Sequence, residues 1–273
     1  MSKDKFIDIE KLIASKNPKA LKWTPRFVLR YLKRVIHEDE INSFIEANQD
    51  KEGTEWCDSV REYMNIKVSI MNRENIPKKG KIVLAMNHPL GGMDAIMLVA
   101  ALKDHREDLK FIVNDLLMNI ESMRNMFVGV DKIGKNNSSL RNKLINLFSS
   151  ENAVSIFPAG LVSRQINREI KDLEWKKTFV TYSKQYDRII IPIFIEGKLS
   201  NFFYRLARLR KFLGIKLNIE MLYLSNELFK QKNSQMRFVV GTPINSDSIK
   251  NSANDVETAQ QIREKVYELR NQL

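Results

Sequence analysis

Apolar positions recur at helical spacing along the first part of the chain, up to about Met71. In the segment TPRFVLRYLKRVI, Thr24 is the predicted N-cap and Pro25 is the first helical residue. Apolar residues of this segment share one face, and basic residues occupy the other: Phe27, Val28, Tyr31, Leu32 and Val35 against Arg26, Arg30, Lys33 and Arg34. The pattern predicts an N-terminal helical segment over residues 1–72.

Short β-rich runs alternate with amphipathic stretches after the turn-forming segment NRENIPKKG. We predict strands at KIVLAM, LKFIVN, FVGVDKI, NAVSIF, RIIIPIFI, KLNIEMLYL and MRFVVGTPI. The polar segment from Asn251 to Leu273 predicts a closing helix. Other amphipathic stretches separate the strands and begin near Asp94, Asp115, Ser138, Trp175 and Asn201. This alternation predicts an α/β domain over residues 73–273, with a mostly parallel central sheet flanked by helices.

Composition and charge limit the classes of protein to which the chain can belong. Its 273 residues include 45 Lys and Arg against 33 Asp and Glu, and the formal net charge of +12 indicates an anionic partner or surface. The single cysteine, Cys57, is expected to be inert, and no Cys/His spacing suggests a metal site. We expect no signal peptide and no membrane-spanning helix, because the longest apolar runs are far too short.

The segment AMNHPLGGMD places His88 directly after the predicted strand KIVLAM, which ends at Asn87. Ligands of open α/β folds bind at the carboxyl ends of strands, so this position favours a chemical role. Gly91 and Gly92 allow a ligand to approach the backbone closely. Asp94 can hydrogen-bond one imidazole nitrogen and leave the other available as a base. A His-Asp dyad is the simplest chemical interpretation.

Such a dyad lacks its own nucleophile, because the loop contains no Ser or Cys. A substrate hydroxyl would supply the nucleophile: His88 would take its proton while the oxygen attacks an activated carbonyl, with backbone N–H groups of the glycine loop as candidates for binding the oxyanion. This chemistry is acyl transfer and needs no metal or cofactor. Two structural interpretations stay open, namely Asp94 as a helix N-cap, which is compatible with the dyad, and His88 as a loop histidine held for structure.

Four blocks, in order, resemble the glycerolipid acyltransferase superfamily, the relatives of 1-acylglycerol-3-phosphate O-acyltransferase: NHPLGGMD, FVGVDKIGK, FPAG and IPIFIEG. Five residues separate His88 from Asp94, where the superfamily usually has four. This spacing is similar to the NHPxGGxD version in the bacterial hemolysin-related branch, which includes acyltransferases of ornithine and glycine aminolipids. FPAGLVSR, IKDLEWKKTF and GKLSNFFY are similar to that branch as well, and the resemblance covers about residues 73–244.

The resemblance implies the glycerolipid acyltransferase fold, with His88 as general base and Asp94 orienting it. Lys132 and Lys135, which can equally be solvated surface residues, stand where the superfamily has a phosphate-binding arginine. This departure favours an acceptor without a phosphomonoester, such as a lyso-aminolipid. The expected substrate-binding residues are Asn87, Gly91, Gly92, Lys132, Lys135, Phe157, Pro158, Gly160, Arg164, Asp172 and Trp175. Ala159 replaces the usual glutamate of the FPEG-like block.

Two amphipathic segments are candidates for contact with a membrane, where a lyso-lipid acceptor resides. NFFYRLARLRKFLG combines apolar with basic side chains, as interfacial helices on anionic lipid do. The segment Trp23–Ile36 has a similar composition, and for it membrane contact and packing onto the catalytic domain both stay open. In the first segment we expect membrane contact through Phe202, Phe203, Arg205, Arg208 and Arg210.

These observations predict a peripheral enzyme on the cytoplasmic face of the inner membrane. It would move a fatty acyl chain from a thioester, on acyl carrier protein or coenzyme A, to the hydroxyl of a lyso-ornithine or lyso-glycine lipid. Lysophosphatidic acid is the alternative acceptor. A non-enzymatic basic protein that binds membranes or nucleic acid is the competing class. The chain has no recognisable nucleic-acid-binding motif, so we expect no nucleic-acid partner, and the complete dyad argues against inactivity.

Overall fold

The computed structural model describes residues 5–114, 118–130 and 137–273. Contacts between Cα atoms divide the chain into two compact units. The sheet unit contains residues 52–198 and 233–273. The helical unit contains the residues up to 51 together with 199–232. The boundary predicted between residues 72 and 73 therefore differs from the division in the structure, because residues 52–72 belong with the sheet and residues 199–232 belong with the N-terminal helices.

A seven-stranded sheet forms the centre of the sheet unit, and two further strands form a separate antiparallel hairpin. The strands are β1 (Lys67–Met71), β2 (Ile82–Met86), β3 (Leu109–Asn114), β4 (Phe127–Val130), β5 (Ala153–Ile156), β6 (Arg164–Ile166), β7 (Glu169–Lys171), β8 (Ile189–Ile195) and β9 (Gln235–Val240). The sheet order is β1-β9-β8-β2-β5-β3-β4, and its pairs are parallel except β8 with β9. The predicted α/β class with a mostly parallel sheet is confirmed.

Helices belong to both units. They are α1 (Ile9–Lys16), α2 (Pro18–Trp23), α3 (Arg26–Val35), α4 (Glu38–Ala47), α5 (Gly53–Tyr63), α6 (Gly92–Ala101), α7 (Asn137–Ser149), α8 (Thr178–Gln185), α9 (Asn201–Phe212), α10 (Leu224–Phe229), α11 (Ser246–Lys250) and α12 (Asp255–Glu268). The helical unit contains α1–α4, α9 and α10, which confirms the helical N-terminal segment. Pro25, not Thr24, is the N-cap residue of α3.

The central strand β2 has both faces covered. It pairs with β5 on one side and β8 on the other, and all five of its residues are buried. Val83 and Ala85 point to the face that packs against α7, α8 and α12 through residues such as Phe148, Phe179 and Ile262. The opposite face carries the alternate residues of the strand, and α6 packs against both β1 and α5. Such burial on both faces explains the continuous apolar runs in the sequence.

Three local predictions are wrong or incomplete. Lys67–Met71 was expected to be helical but is the edge strand β1, paired with β9. KLNIEMLYL was expected to be a strand, but Ile219–Tyr223 is a 3₁₀ helix that leads into α10. The β6–β7 hairpin was not predicted. The second error has a physical reason, because Glu220 and Glu227 are buried and paired, with Arg210 and with Ser200 respectively.

Within the described residues, no helix is both long enough and apolar enough to cross a bilayer.

Candidate active site

The loop between β2 and α6 carries His88 and begins with a clamp onto β8. The Asn87 side chain is buried; its Nδ2 donates to the Ile195 carbonyl at 2.9 Å, and its Oδ1 accepts from the Ile195 N–H at 2.7 Å. These bonds extend the contact between β2 and β8 beyond the last residue of β2. Asn87 therefore positions the loop, and the structure does not support its predicted role in binding substrate, since its amide group is committed to Ile195.

The two glycines of the loop differ in what they contribute. Gly91 has φ 70° and ψ −137°, a backbone conformation that is essentially restricted to glycine, and it precedes the first residue of α6. Gly92 has ordinary helical geometry, but a Cβ atom at this position would meet no other atom within 4 Å. Both residues line the cavity described below. Gly91 thus allows the turn, and Gly92 leaves open space in front of the loop.

His88 and Asp94 form the predicted pair. The Nδ1 atom of His88 lies 2.9 Å from Oδ2 of Asp94, so the spacing of five intervening residues is compatible with a direct hydrogen bond. The imidazole stacks on the Phe157 ring, with 4.0 Å between ring centroids. Since Nδ1 is bonded to the carboxylate, Nε2 is the nitrogen left to act on a ligand.

Asp94 is fully buried in the first turn of α6. Its two oxygens accept the Leu90 N–H at 3.3 and 3.0 Å, so the carboxylate also fixes the loop backbone. Burial raises the pKa of the Asp94 carboxyl, and the bonds to His88 and to the Leu90 N–H oppose that rise in part. Asp94 is not the N-cap of α6, because the helix begins at Gly92 with Gly91 in the capping position.

The backbone of His88 is held at both of its polar groups. Its carbonyl accepts the Ser163 N–H at 2.8 Å, and its N–H donates to Oδ1 of Asp172 at 3.2 Å. Asp172 also accepts the Ser163 hydroxyl at 2.6 Å and the Trp175 indole N–H at 2.9 Å, and its own N–H donates to the Tyr267 hydroxyl at 2.7 Å. These bonds form a buried network directly behind the histidine.

Asp172 and Trp175 were expected to bind substrate, and the structure contradicts this. Both side chains are buried, and each is used in the network just described. Their contribution is to position His88 through its backbone N–H. Ser163 and Tyr267 belong to the same network and were not identified from the sequence, since no local pattern shows that residues so far apart along the chain meet.

An apolar cavity of about 480 Å³ opens beside His88. Gly91 and Gly92 border it on one strand-to-helix loop, and the FPAG segment borders it with Phe157, Pro158 and Gly160. Its remaining wall is largely aromatic and aliphatic, and includes Trp56, Phe111, Met123, Phe127, Leu144 and Ile156. The dimensions and the lining suit a hydrocarbon chain with a polar group at the end near His88.

Of the other residues predicted to bind substrate, some line the cavity and some do not. Phe157, Pro158 and Gly160 line the cavity as expected, and Gly160 has a φ of 68°. Arg164 begins β6, donates to the Val162 carbonyl at 3.1 Å, and is not one of the described residues that line the cavity. Lys132 and Lys135 lie outside the described residues. Lys176, which sequence reasoning missed, lines the cavity with Thr178.

Cys57 is fully buried, and its Sγ lies 3.2 Å from Sδ of Met123. Burial raises the pKa of the Cys57 thiol well above its usual range, so the thiolate needed for nucleophilic attack is not formed at neutral pH. This agrees with the expectation that the cysteine is inert.

The predicted membrane-contact residues on α9 divide into two groups. Phe202, Arg205 and Arg208 are exposed. Phe203 is fully buried, and Arg210 is paired with the buried Glu220 at 2.9 Å. The structure therefore contradicts the predicted membrane contact of Phe203 and Arg210, because the Phe203 side chain is fully buried and Arg210 forms an ion pair with a buried carboxylate.

Comparisons with known proteins identify the family of the chain. Residues 11–273 match a family model described as acyltransferase. A lyso-glycine lipid O-acyltransferase of Phocaeicola vulgatus is 40% identical over 265 residues, which cover 97% of this chain and 95% of that protein. A protein of the same description from Bacteroides thetaiotaomicron is 39% identical over 265 residues, 97% of each chain.

Among solved structures, the crystal structure of the 1-acyl-sn-glycerophosphate acyltransferase PlsC from Thermotoga maritima is similar. It aligns with 96% of this chain and 93% of its own, with a TM-score of 0.51 and 16% sequence identity. At this level of identity the likeness concerns the fold.

Proposed function

The chain belongs to the acyltransferase family, and from this premise we propose that it transfers a fatty acyl chain to the hydroxyl of a lyso-aminolipid by His-Asp general-base catalysis. The observation that carries the proposal is the geometry of His88: one ring nitrogen is bonded to the buried Asp94, and the ring borders an apolar cavity. The relatives described as lyso-glycine lipid O-acyltransferases support the choice of acceptor.

The proposed reaction needs one base and one orienting carboxylate. Nε2 of His88 takes the proton of the acceptor hydroxyl while the hydroxyl oxygen attacks the thioester carbonyl carbon. The C–S bond then breaks, sulfur leaves with the bonding electrons, and the imidazolium returns the proton to it. Asp94 accepts a hydrogen bond from the Nδ1–H group of His88 and stabilises the imidazolium without taking the proton itself. The products are an ester and a free thiol.

The developing oxyanion needs hydrogen-bond donors close to His88. The first N–H groups of a helix have no acceptor within it. In α6 the Asp94 N–H donates to the Gly91 carbonyl at 3.0 Å, which leaves the N–H groups of Gly92 and Met93 as candidate donors, and Gly92 lines the cavity. We assign the oxyanion to this end of α6, where the helix dipole also favours negative charge. The apolar wall of the cavity would hold a hydrocarbon chain of the reacting lipids.

The donor is a thioester of acyl carrier protein or of coenzyme A. Both carriers are anionic, and a chain with a formal net charge of +12 attracts either of them. The proposed reaction uses the donor as a substrate and requires no resident cofactor.

The helical unit is the proposed membrane-contact surface. Its described residues include large apolar side chains that are mostly exposed, such as Trp23 (87%), Phe212 (86%) and Leu217 (74%). In the described part of the sheet unit, no large apolar side chain is more than 41% exposed. Contacts within the unit link the two amphipathic segments, because Tyr31 of α3 bonds to Tyr223, whose ring packs against Phe202 of α9. We propose that this surface binds the cytoplasmic leaflet, on the side of the thioester donors.

A turnover assay tests the proposal. Purified protein is mixed with acyl carrier protein thioester or acyl-coenzyme A in separate reactions, each with lyso-glycine lipid, lyso-ornithine lipid or lysophosphatidic acid. Release of thiol and the mass of the lipid product are measured. We expect acylated lyso-aminolipid, and a loss of at least about 10²-fold for His88→Ala. His105→Gln is the control, since His105 bonds to the Ile76 carbonyl away from the cavity. Full turnover by His88→Ala would refute the base assignment.

A further inference from the structure

Lys176 is a charged group at the apolar cavity. Among the described residues that line the cavity, Lys176 is the single Lys, Arg, Asp or Glu. Its side chain is exposed, so it lies where the cavity meets solvent. No described residue forms an ion pair with its ammonium group. A cation held at the mouth of an otherwise apolar cavity is suited to an amphiphile whose head is anionic.

The backbone of Lys176 is fixed relative to His88 from two sides. Its N–H donates to the Pro158 carbonyl at 3.1 Å, and Pro158 follows the Phe157 ring that stacks on the imidazole. The preceding residue, Trp175, is bonded through its indole to Asp172, which in turn accepts the His88 N–H. The residues that position His88 therefore also fix the backbone, and so the Cα atom, of Lys176.

We propose that Lys176 binds the carboxylate of the acceptor's amino-acid head group and thereby selects acceptors that carry a free carboxylate beside the reacting hydroxyl. This inference rests on the proposed function. A glycine joined to a fatty chain through its amine retains a carboxylate, whereas one joined through its carboxyl group would retain an ammonium. An ammonium would be repelled by Lys176, so the charge of this residue distinguishes the two linkages.

The test compares two acceptors of equal size. One is the lyso-glycine lipid with the amine acylated and the carboxylate free; the other is its primary carboxamide, which keeps the shape and removes the charge. For wild-type protein we expect a lower KM for the carboxylate. Lys176→Gln should raise that KM about ten- to hundredfold, with little change for the carboxamide, because the variant removes one charge-assisted hydrogen bond. Lys176→Arg should restore most of the difference between the two acceptors.

Lys177→Gln is the matched control. Lys177 is the next residue, is also exposed, and is absent from the described lining of the cavity. This variant should behave as wild type with both acceptors. Equal effects of Lys176→Gln on the carboxylate and the carboxamide would overturn the inference, as would an unchanged KM for both. If wild-type protein acylates neither acceptor, the proposed function itself fails, so the two failures are distinguishable.

Discussion

Asp94 combines two properties at the scale of a single residue: it is completely buried, and it is bonded to the ring that acts as base in the proposed mechanism. Catalysis needs its ionised form, because only a carboxylate stabilises the imidazolium. Burial disfavours that form and raises the pKa of the carboxyl. The same residue is therefore expected to support activity and to reduce the stability of the fold at neutral pH.

Asp94→Asn tests whether the carboxylate supports activity while it lowers the stability of the fold. We expect kcat to fall about 10²- to 10⁴-fold, since an amide can hold the ring but does not stabilise its cation. Thermal stability at pH 7 should be equal to or above that of wild type. The raised pKa fixes the sign: an aspartate with a folded pKa above 3.8 favours the folded state at low pH and loses that contribution as pH rises through the folded value. Melting temperatures of both proteins between pH 4 and 8 check this, and a variant clearly less stable at pH 7 would contradict it.

The sequence predicted that His88 and Asp94 lie together, but not the direction in which the neighbouring side chains point. His88, Asp94 and the glycines lie where the motif predicts, because a loop after a buried strand has few possible courses. Asn87 and Trp175 were expected to face the ligand and instead face the interior. Whether a polar side chain beside a motif faces a cavity or a hydrogen-bond network depends on contacts with remote residues, which a local pattern does not contain.

Among the elements, α6 begins with two glycines that border the cavity and differ in backbone geometry. Gly91 needs its conformation, with φ 70°, whereas Gly92 faces open space in the cavity. The two positions should therefore respond differently to the same change. Gly91→Ala is expected to destabilise the fold by about 1–3 kcal/mol, and Gly92→Ala should be neutral or stabilise it by up to about 1 kcal/mol.

Gly92→Leu tests whether the space in front of α6 is used by substrate. The larger side chain should leave the melting temperature near that of Gly92→Ala while it fills the cavity beside His88. We expect kcat/KM to fall at least about tenfold, by loss of productive positioning. Acyl donors of several chain lengths, assayed with Gly92→Ala as the size control, provide the measurement. Undiminished turnover by a folded Gly92→Leu protein would exclude this region from the binding site.

Elements could be predicted from the sequence where nearly all residues of a strand are buried. They could not be predicted where buried charged side chains depend on partners elsewhere in the chain. β2, β5 and β8 follow from their apolar runs, because nearly all of their residues are buried between the covered faces of the sheet. The segment containing Glu220 and Glu227 shows the limit. Its alternating apolar residues resemble a strand, but in the structure a 3₁₀ helix and α10 bring its buried carboxylates to partners on α9 and the residue before it.

In the whole molecule, the proposed catalytic residues and the most exposed large apolar side chains belong to different units. The dyad and the cavity lie in the sheet unit, and the most exposed large apolar side chains of the described residues lie in the helical unit. Two of the glutamates buried in the helical unit, Glu220 and Glu227, form ion pairs with Arg210 and Lys230 respectively. Arg205 and Arg208 are exposed beside the apolar residues of α9, the combination expected of a surface that contacts anionic lipid.

Charge reversal tests this division. Arg205→Glu combined with Arg208→Glu should weaken binding to vesicles that contain anionic phospholipid by about thirtyfold or more, because each basic residue near such a surface contributes on the order of 1 kcal/mol. Lys78→Glu combined with Lys79→Glu changes the net charge equally, but on exposed residues of the sheet unit, and should have a much smaller effect. Vesicle sedimentation at low and high salt measures both variants. Equal weakening by the two pairs would mean that net charge governs binding, whereas a loss confined to the α9 pair would identify the helical unit as the contact.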